Sequence, residues 1–152
     1  MLRTIVSDTS CFIILSTIGE LDVLQRTFGD IITTIEVVLE FGEDLPSWVK
    51  VHAPKDIIKQ RFLETKVDPG EASAIALALE YEQSMIILDD FKARKIAENL
   101  GLEITGTIGV LIIAKKRGII LSIKPFLEKI RATNFRLSEA IEKQALIEAD
   151  ED

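Results

Sequence analysis

Short apolar segments rich in β-branched residues alternate along the chain with longer segments whose apolar positions repeat at helical spacing. The pattern predicts β-strands over residues 3–8, 30–34, a short part of 44–54, 84–90 and 102–105. It predicts α-helices over residues 9–27 (broken at Gly19), 34–42, 55–65, 68–82, 91–101, 106–118, 122–133 and 138–148. Strands and helices that alternate in this way form a mostly parallel sheet covered by helices on both faces, so we expect an α/β fold.

The chain has the length of one domain, with 152 residues of which 47% are apolar. We expect residues 1–152 to form a single domain, onto which the C-terminal helices at about 122–148 pack. No apolar run is long enough to span a bilayer, because the nearest candidate, Ile108–Ile123, contains three consecutive cations at 115–117. The N-terminus lacks the pattern of a signal peptide.

Cysteine and histidine each occur once. Cys11 has no partner for an intrachain disulfide, so an intracellular, cytoplasmic location is the simplest expectation. We expect His52 to lie in a loop or at the end of a strand rather than in a metal site. With one residue of each type, the composition argues strongly against a structural zinc site.

The net charge of −7 does not indicate general nucleic-acid binding, which depends on Lys and Arg against phosphate. Acidic residues concentrated in one cleft would instead bind hard divalent cations. The same residues spread over the surface would contribute only to solubility. Composition alone does not distinguish these two arrangements.

Acidic residues recur where predicted strands end or where the following helices begin. They are Asp8, Glu36, Glu40, Glu71, Asp89 and Asp90. The carboxyl ends of parallel strands meet at one edge of a sheet, and ligands of α/β proteins bind there. We therefore expect several of these carboxylates to lie at the same edge.

Each acid also has a structural explanation. Asp8, taken alone, is better explained as the cap of the following helix, and Asp90 is a candidate N-cap of the helix at 91–101. Capping boxes are predicted for Thr33 with Glu36 and for Asp68 with Glu71. The box accounts for Glu36, and Glu40 could simply be solvated. Glu71 falls beside Ala74, Ile75 and Ala78 on a helical wheel, which favours a position toward the buried side.

Capping does not explain the doublet Asp89–Asp90 at the end of an apolar strand. One aspartate can cap a helix, but its neighbour is then an unassigned charge. Lys92 and Arg94 lie near the start of the next helix, where cations oppose the helix dipole, which suggests an anionic group nearby. A divalent ion would relieve the repulsion, because several carboxylates can share it. Such carboxylate sites commonly hydrolyse phosphodiesters, since the ion activates water and stabilises the leaving oxygen.

Five segments in order carry a family resemblance. They are "VSDTSCFIIL", "TTIEVVLEFGEDLPSW", "PGEASAIALALE", "IILDDFKAR" and "TGTIGVLIIAKKRGII". Over nearly its whole length the sequence resembles the PIN-domain nucleases, most closely a prokaryotic subfamily related to the toxins of VapBC-type toxin–antitoxin pairs. The resemblance implies a three-layer α/β/α sandwich. It also implies Mg²⁺- or Mn²⁺-dependent cleavage of single-stranded or structured RNA.

The resemblance also assigns site residues. It implies that Asp8, Glu40, Glu71 and Asp90 are the four catalytic and metal-binding acids, with Asp89 as a near-equivalent of the last. Thr9 and Ser10 match the hydroxyl residues beside the first acid, and Lys92 and Arg94 are candidate substrate-binding cations. Two departures are Glu71, where many relatives have Asp, and Leu88, where many have Thr.

The implied function is a cytoplasmic endoribonuclease toxin that forms a homodimer and binds a small antitoxin protein, without a membrane. The cations at 115–117 could contact RNA, although the cationic last turn of a helix explains at least two of them. A non-catalytic PIN-like binding module remains the main alternative. A phospho-accepting receiver domain also clusters acids at strand ends, but its doublet would lie on an early strand.

Overall fold

A five-stranded parallel sheet forms the centre of the computed structural model, which describes residues 3–152. The strands are β1 (Thr4–Ser7), β2 (Ile31–Thr33), β3 (Val49–Val51), β4 (Ser84–Ile87) and β5 (Glu103–Thr105). Their order across the sheet is β3-β2-β1-β4-β5, and every pairing is parallel. The predicted α/β class is thus confirmed.

Helices follow the strands as the sequence pattern predicts. In the described part of the chain they are α1 (Thr9–Thr17), α2 (Asp22–Phe28), α3 (Ile35–Phe41), α4 (Ile57–Glu64), α5 (Pro69–Ala78), α6 (Phe91–Asn99), α7 (Thr107–Lys116), α8 (Lys124–Arg131) and α9 (Glu139–Glu148). The predicted break in the first helical segment occurs at Gly19, whose φ of 74° lies in the left-handed region that favours glycine. None of the helices within residues 3–152 is long and apolar enough to cross a membrane.

Alternating strand residues supply two separate hydrophobic cores, one on each face of the sheet. Ile5 of β1 packs into a core with residues of α1, α2, α7, α8 and α9, whereas its neighbour Val6 packs into a core with α5 and α6. β4 alternates in the same way, with Met85 and Ile87 on the first face and Ile86 on the second. The result is the predicted three-layer α/β/α sandwich.

The register of the central strands brings their carboxyl ends to one edge. Ser7, the last residue of β1, pairs with Ile87, the last residue of β4. The residues that follow these strands therefore emerge side by side. This pairing, rather than any local signal, brings Asp8 and the doublet after β4 to the same edge of the sheet.

The C-terminal segment is tied to the end of α7. Lys115 donates to the carbonyl of Ala149 and forms an ion pair with Glu151. Arg117 donates to the carbonyl of Thr27 at 2.7 Å and lies over the ring of Phe28. These contacts give Lys115 and Arg117 structural roles, and Lys115 and Lys116 lie in the last turn of α7, where the helix dipole favours cations.

Candidate metal-binding and catalytic site

Asp8 is a buried carboxylate without a capping role. It lies at the N-cap position of α1, yet its side chain makes no cap hydrogen bond and is only 4% exposed. Its side chain accepts a long hydrogen bond of 3.5 Å from the hydroxyl of Thr9 and a backbone hydrogen bond from the same residue. Asp8 takes the N-cap position, but the side-chain hydrogen bond that the capping interpretation predicts is absent.

The surroundings of Asp8 disfavour its charged form. Burial raises the pKa of Asp8 to about 7 despite a backbone hydrogen bond from Thr9. The nearby carboxylates of Glu71, Asp68 and Glu40 raise this pKa further. A buried carboxylate in this position becomes stable near neutral pH when it takes up a proton or binds a cation.

Gly70 of α5 leaves an open space beside side chains from the start of α1 and from α3. A Cβ placed on Gly70 would lie 3.4 Å from Oδ1 of Asp8, 3.4 Å from Oε1 of Glu40 and 3.4 Å from Oγ1 of Thr9. Because glycine has no side chain there, the three oxygens surround a space that any other residue would occupy. The sequence-predicted residues Asp8, Thr9 and Glu40 are thus brought together.

Glu71 lies beside this space and also closes a capping box. Asp68 accepts a hydrogen bond from the backbone N–H of Glu71 at 2.8 Å, and Glu71 accepts one from the backbone N–H of Asp68 at 3.3 Å. Partial burial raises the pKa of Glu71 to about 7, and the carboxylates of Asp68, Asp90 and Glu40 add to the effect. The predicted box is present, and its carboxylate still interacts with the other acids.

The two members of the doublet have different surroundings. Asp90 caps α6 by accepting from the backbone N–H of Ala93 at 2.9 Å, as predicted. Asp89 accepts from the hydroxyl of Ser10 at 2.7 Å, and from the backbone N–H and hydroxyl of Thr107 at 2.8 and 2.6 Å. Asp89 therefore ties the start of α7 to α1, while Asp90 is near enough to Glu71 to affect its pKa.

The predicted capping box of Thr33 with Glu36 is wrong. The N-cap of α3 is Thr34, whose hydroxyl accepts from the backbone N–H of Val37, whereas Thr33 belongs to β2 and donates to the carbonyl of Ser7. Glu36 instead accepts a hydrogen bond from the side-chain amide of Gln60. Because the N-cap is Thr34 and not Thr33, Glu36 is the second residue of α3 and not the third, which a capping box requires.

A buried contact that the sequence pattern does not predict joins the two helices around the site. The hydroxyls of Thr34 on the α3 cap and Ser73 on α5 are 2.7 Å apart, and Ser73 also donates to the carbonyl of Gly70. This contact fixes α3, which carries Glu40, against the first turn of α5, which carries Gly70. The only sequence signal was two small polar residues inside apolar segments.

The candidate substrate-binding residues differ in their hydrogen bonds and in their exposure. Ser10 is engaged with Asp89, and Arg94 donates to the carbonyl of Leu88 at 2.9 Å. Lys92 is exposed on the first turn of α6.

Cys11 is fully buried, which raises the pKa of its thiol and removes it as a nucleophile. His52 follows β3 and its Nδ1 lies 3.1 Å from the hydroxyl of Tyr81, as expected for a residue at the end of a strand.

The carboxylate oxygens at the site suit a hard divalent ion that binds only a few protein ligands. Within residues 3–152, no three Asp, Glu, His or Cys side chains are arranged to hold a metal ion together. Mg²⁺ commonly needs only one or two carboxylates, because it keeps several of its waters. Asp8 and Glu40 beside the space at Gly70 supply such a pair, and both are oxygen donors of the type that Mg²⁺ and Mn²⁺ prefer.

Comparison with known families agrees with this architecture. A family model described as a PIN domain matches residues 4–151, nearly the whole chain. No curated protein matches the chain. PIN domains are generally nucleases, and these nucleases generally use divalent metal ions. The chain belongs to the PIN-domain family.

Proposed function

We propose that this PIN-domain protein is a metal-dependent endoribonuclease that hydrolyses phosphodiester bonds of RNA, and that it is the VapC-type toxin of a toxin–antitoxin pair. The observation that supports this function best is Asp8, a buried carboxylate that caps nothing and lies near Glu40 across the space at Gly70. A buried acid surrounded by other acids lowers the stability of the fold, and a bound cation would offset that cost. Such an arrangement is typical of a functional site.

Four acids are proposed as catalytic and metal-binding residues: Asp8, Glu40, Glu71 and Asp90. Mg²⁺ or Mn²⁺ held by them would supply Lewis-acid polarisation of the phosphate and activation of a water for attack on phosphorus. Asp8 and Glu40 are the pair with the best geometric support. Asp89 is the weaker candidate of the doublet, because its two carboxylate oxygens already accept three hydrogen bonds.

The remaining site residues would orient the RNA. Thr9 keeps its hydroxyl beside the Asp8 carboxylate and the space at Gly70, so it restrains the first acid. Ser10 acts through Asp89, which it holds in place. Lys92 and Arg94 bring positive charge to the acidic edge, where a phosphate would otherwise be repelled. We propose all four as substrate-positioning residues.

The proposal includes a single domain over residues 1–152 and action in the cytoplasm, where RNA is available. It also includes a homodimer and an antitoxin whose inserted Arg or Lys would neutralise the carboxylates.

The test is cleavage of a panel of RNAs by the purified protein with Mn²⁺, compared with the same reactions in EDTA. Asp8→Asn is the informative variant, because it keeps the shape of the side chain and removes the charge. We expect metal-dependent fragments from the wild-type protein and none from the variant. Cleavage that persists in EDTA, or that the variant retains, would overturn the proposal.

A non-catalytic PIN-like binding module is the second candidate. It is favoured by the capping contacts that occupy Glu71 and Asp90, and by the lack of an assembled three-carboxylate group within residues 3–152. Calorimetric titration with Mn²⁺ separates the two functions. No heat of binding at millimolar Mn²⁺ would favour the module, and binding that Asp8→Asn abolishes would favour the nuclease.

A further inference from the structure

Four fully buried hydroxyl groups connect the strands and helices that carry the proposed metal-binding acids. They belong to Ser7, Thr33, Thr34 and Ser73, none of which is exposed to solvent, and are called here the buried hydroxyl network. A buried hydroxyl lowers stability unless it is hydrogen-bonded, and alanine or valine would have nearly the same shape without that cost. All four hydroxyls are hydrogen-bonded, and their partners lie on segments next to the acids.

Thr33 and Thr34 are adjacent in sequence, but their hydroxyls contact different parts of the fold. Thr33 donates to the carbonyl of Ser7 at 2.7 Å, and Ser7 directly precedes Asp8. The hydroxyl of Thr34 lies 2.7 Å from the hydroxyl of Ser73 on α5, and Thr34 is also the N-cap of α3. The two threonines therefore connect the end of β1 with the start of α3 and with the first turns of α5.

The hydrogen bonds between α3 and α5 have a fixed direction, because a hydroxyl has one proton to donate. Ser73 donates its proton to the carbonyl of Gly70 at 2.9 Å, so the proton between the two hydroxyls comes from Thr34. Thr34 in turn accepts from the backbone N–H of Val37 at 3.3 Å. The result is a chain of hydrogen bonds that all run in one direction, from α3 to α5, and such bonds strengthen one another.

Both ends of this chain lie next to proposed metal ligands. Val37 is one turn before Glu40 on α3. Gly70 directly precedes Glu71 on α5. Because the chain opposes a shift of α3 against α5, it holds Glu40 in place relative to Glu71, and the contact at the end of β1 does the same relative to Asp8. The network thus joins the backbone segments of three of the four proposed acids.

We propose that the buried hydroxyl network positions the carboxylates of Asp8 and Glu40 and thereby makes the site selective for Mg²⁺ over Ca²⁺. This inference rests on the proposed metal-dependent function and concerns the ion specificity of the same site. Mg²⁺ requires near-ideal octahedral geometry with short bonds to oxygen, whereas Ca²⁺ accepts longer bonds and variable geometry. Carboxylates on segments that can move apart lose this discrimination, whereas hydrogen bonds in the core preserve it. The four hydroxyl residues are positioning residues, because they act through the segments that carry the acids.

The direct test is competition of Mg²⁺ and of Ca²⁺ against Mn²⁺ for the full chain without RNA, with free Mn²⁺ measured by electron paramagnetic resonance. Ser73→Ala removes the bridge between Thr34 and Gly70, and alanine is well suited to the interior of a helix. We expect Mn²⁺ affinity to fall by about tenfold or more, as when other residues that orient metal ligands are replaced. The ratio of Mg²⁺ affinity to Ca²⁺ affinity should also fall, because the carboxylates are then less restrained.

Ser84→Ala is the matched control. Ser84 is also a buried serine, and its hydroxyl donates to the carbonyl of Ala78 at 2.9 Å. It is the first residue of β4 and therefore lies at the opposite end of that strand from the acids. This variant should change the Mn²⁺ affinity and the ion preference by less than about twofold.

Substitutions of Thr34 give a second readout. Thr34→Ser keeps the hydroxyl that caps α3 and donates to Ser73, whereas Thr34→Val keeps the shape and removes the hydroxyl. We expect the wild-type ion preference in the serine variant and a lower preference for Mg²⁺ in the valine variant. Urea unfolding measures the stability of each variant separately. Lower stability of Ser73→Ala with unchanged Mn²⁺ affinity and ion preference would assign the network to the fold alone and overturn the inference.

The same measurements, combined with RNA cleavage, separate this inference from the proposed activity. A wild-type protein that binds Mn²⁺ and cleaves no RNA, with altered ion preference in Ser73→Ala, would support the network and contradict the nuclease. Metal-dependent cleavage by a protein whose ion preference is the same in Ser73→Ala would do the reverse. A wild-type protein that binds Mg²⁺ and Ca²⁺ equally well would overturn the inference alone, and one that binds none of the three ions would overturn both.

Discussion

Oδ1 of Asp8 and Oε1 of Glu40 both lie 3.4 Å from the point that a Cβ on Gly70 would occupy. Asp8 precedes α1 and Glu40 lies in α3, so two helices and a strand separate the two carboxylates in sequence. Their approach depends on parallel pairing of β1 with β2 and on the contact between Thr34 and Ser73. Two carboxylates near one space repel each other unless a cation or a proton lies between them. The pair therefore makes this edge of the sheet a candidate cation site.

Gly70→Ala should weaken metal binding without destabilising the fold. The methyl group would enter the space between the oxygens at ordinary contact distance, while alanine is favoured over glycine within a helix by up to about 1 kcal/mol. We expect the unfolding free energy in EDTA to stay the same or rise, and Mn²⁺ affinity to fall by at least about tenfold. Denaturant unfolding and calorimetry measure the two quantities. Unaltered Mn²⁺ affinity would show that the ion does not use this space.

Asp8→Asn should stabilise the metal-free protein at high pH. Because the pKa of Asp8 rises from 3.8 in the unfolded chain to about 7 in the fold, the folded state binds the extra proton between these values. Stability contributed by the protonated acid is therefore lost as pH rises toward 7, and the charged group destabilises the fold above that pH. The variant should gain on the order of 3 kcal/mol at pH 8 and nothing near pH 4.

Urea unfolding in EDTA across this pH range measures the effect. Asp30→Asn is the control, because Asp30 is an exposed aspartate just before β2. Mn²⁺ should stabilise the wild-type protein at pH 8 and leave Asp8→Asn unchanged. A wild-type protein whose stability does not depend on pH between 4 and 8, relative to the variant, would contradict the account of Asp8.

The doublet should divide into a structural and a functional member. Asp89→Ala removes a carboxylate that holds Ser10 and Thr107, so the unfolding free energy should fall by about 2–4 kcal/mol. Asp90→Ser retains a good N-cap for α6 and removes only the charge, so stability should change by a few tenths of a kcal/mol. If Asp90 binds the metal ion, Asp90→Ser should nevertheless lose Mn²⁺ affinity and RNA cleavage. Retained affinity would assign Asp90 to capping alone.

Glu71→Gln should keep the capping box while it removes a charge. Glutamine serves at this position of a capping box as well as glutamate does, so the start of α5 should remain intact. Because the pKa of Glu71 is raised to about 7, removal of its charge should slightly stabilise the metal-free protein above that pH. We expect lower Mn²⁺ affinity by calorimetry. Equal Mn²⁺ affinity in the variant and the wild-type protein would leave Glu71 with the structural role only.

Glu151→Gln should weaken the attachment of the C-terminus without affecting the site. Although burial opposes the charge, hydrogen bonds from Ser122, Ile123 and Lys124 and the contact with Lys115 lower the pKa of Glu151 to about 2. Its stabilising effect is therefore complete above the unfolded pKa of 4.5 and is lost as pH falls toward 2. The variant should lose about 1–3 kcal/mol at pH 7 and little near pH 2. RNA cleavage below the melting temperature should remain normal, and a selective loss of cleavage would contradict this.

The sequence pattern predicted the strands and helices because each core face is encoded locally, as in β4, where neighbouring residues point to opposite faces. It misplaced the cap of α3 because Thr33 and Thr34 are adjacent and chemically alike, and only the sheet pairing distinguishes them. Capping preference also failed for Asp8, which takes the N-cap position of α1 without making a side-chain cap hydrogen bond.

Contacts between distant residues could not be predicted from local pattern. Asp89 bonds to Ser10 across 79 positions, and Glu151 holds the start of α8 from 28 positions away. Each is a charged group held by groups that local sequence does not associate with it. The list of acids was therefore readable from the sequence, but the role of each one depends on the tertiary structure.

The most direct measurement is the anomalous difference density of crystals of this protein soaked in Mn²⁺ at pH 8. The account predicts one or more Mn²⁺ peaks at the space beside Gly70, within about 2.0–2.3 Å of carboxylate oxygens of Asp8 and Glu40. The same soak of Asp8→Asn crystals should show no peak there. Wild-type crystals without density at this position, or with Mn²⁺ bound only at other acids, would contradict the claim that these carboxylates form the metal site.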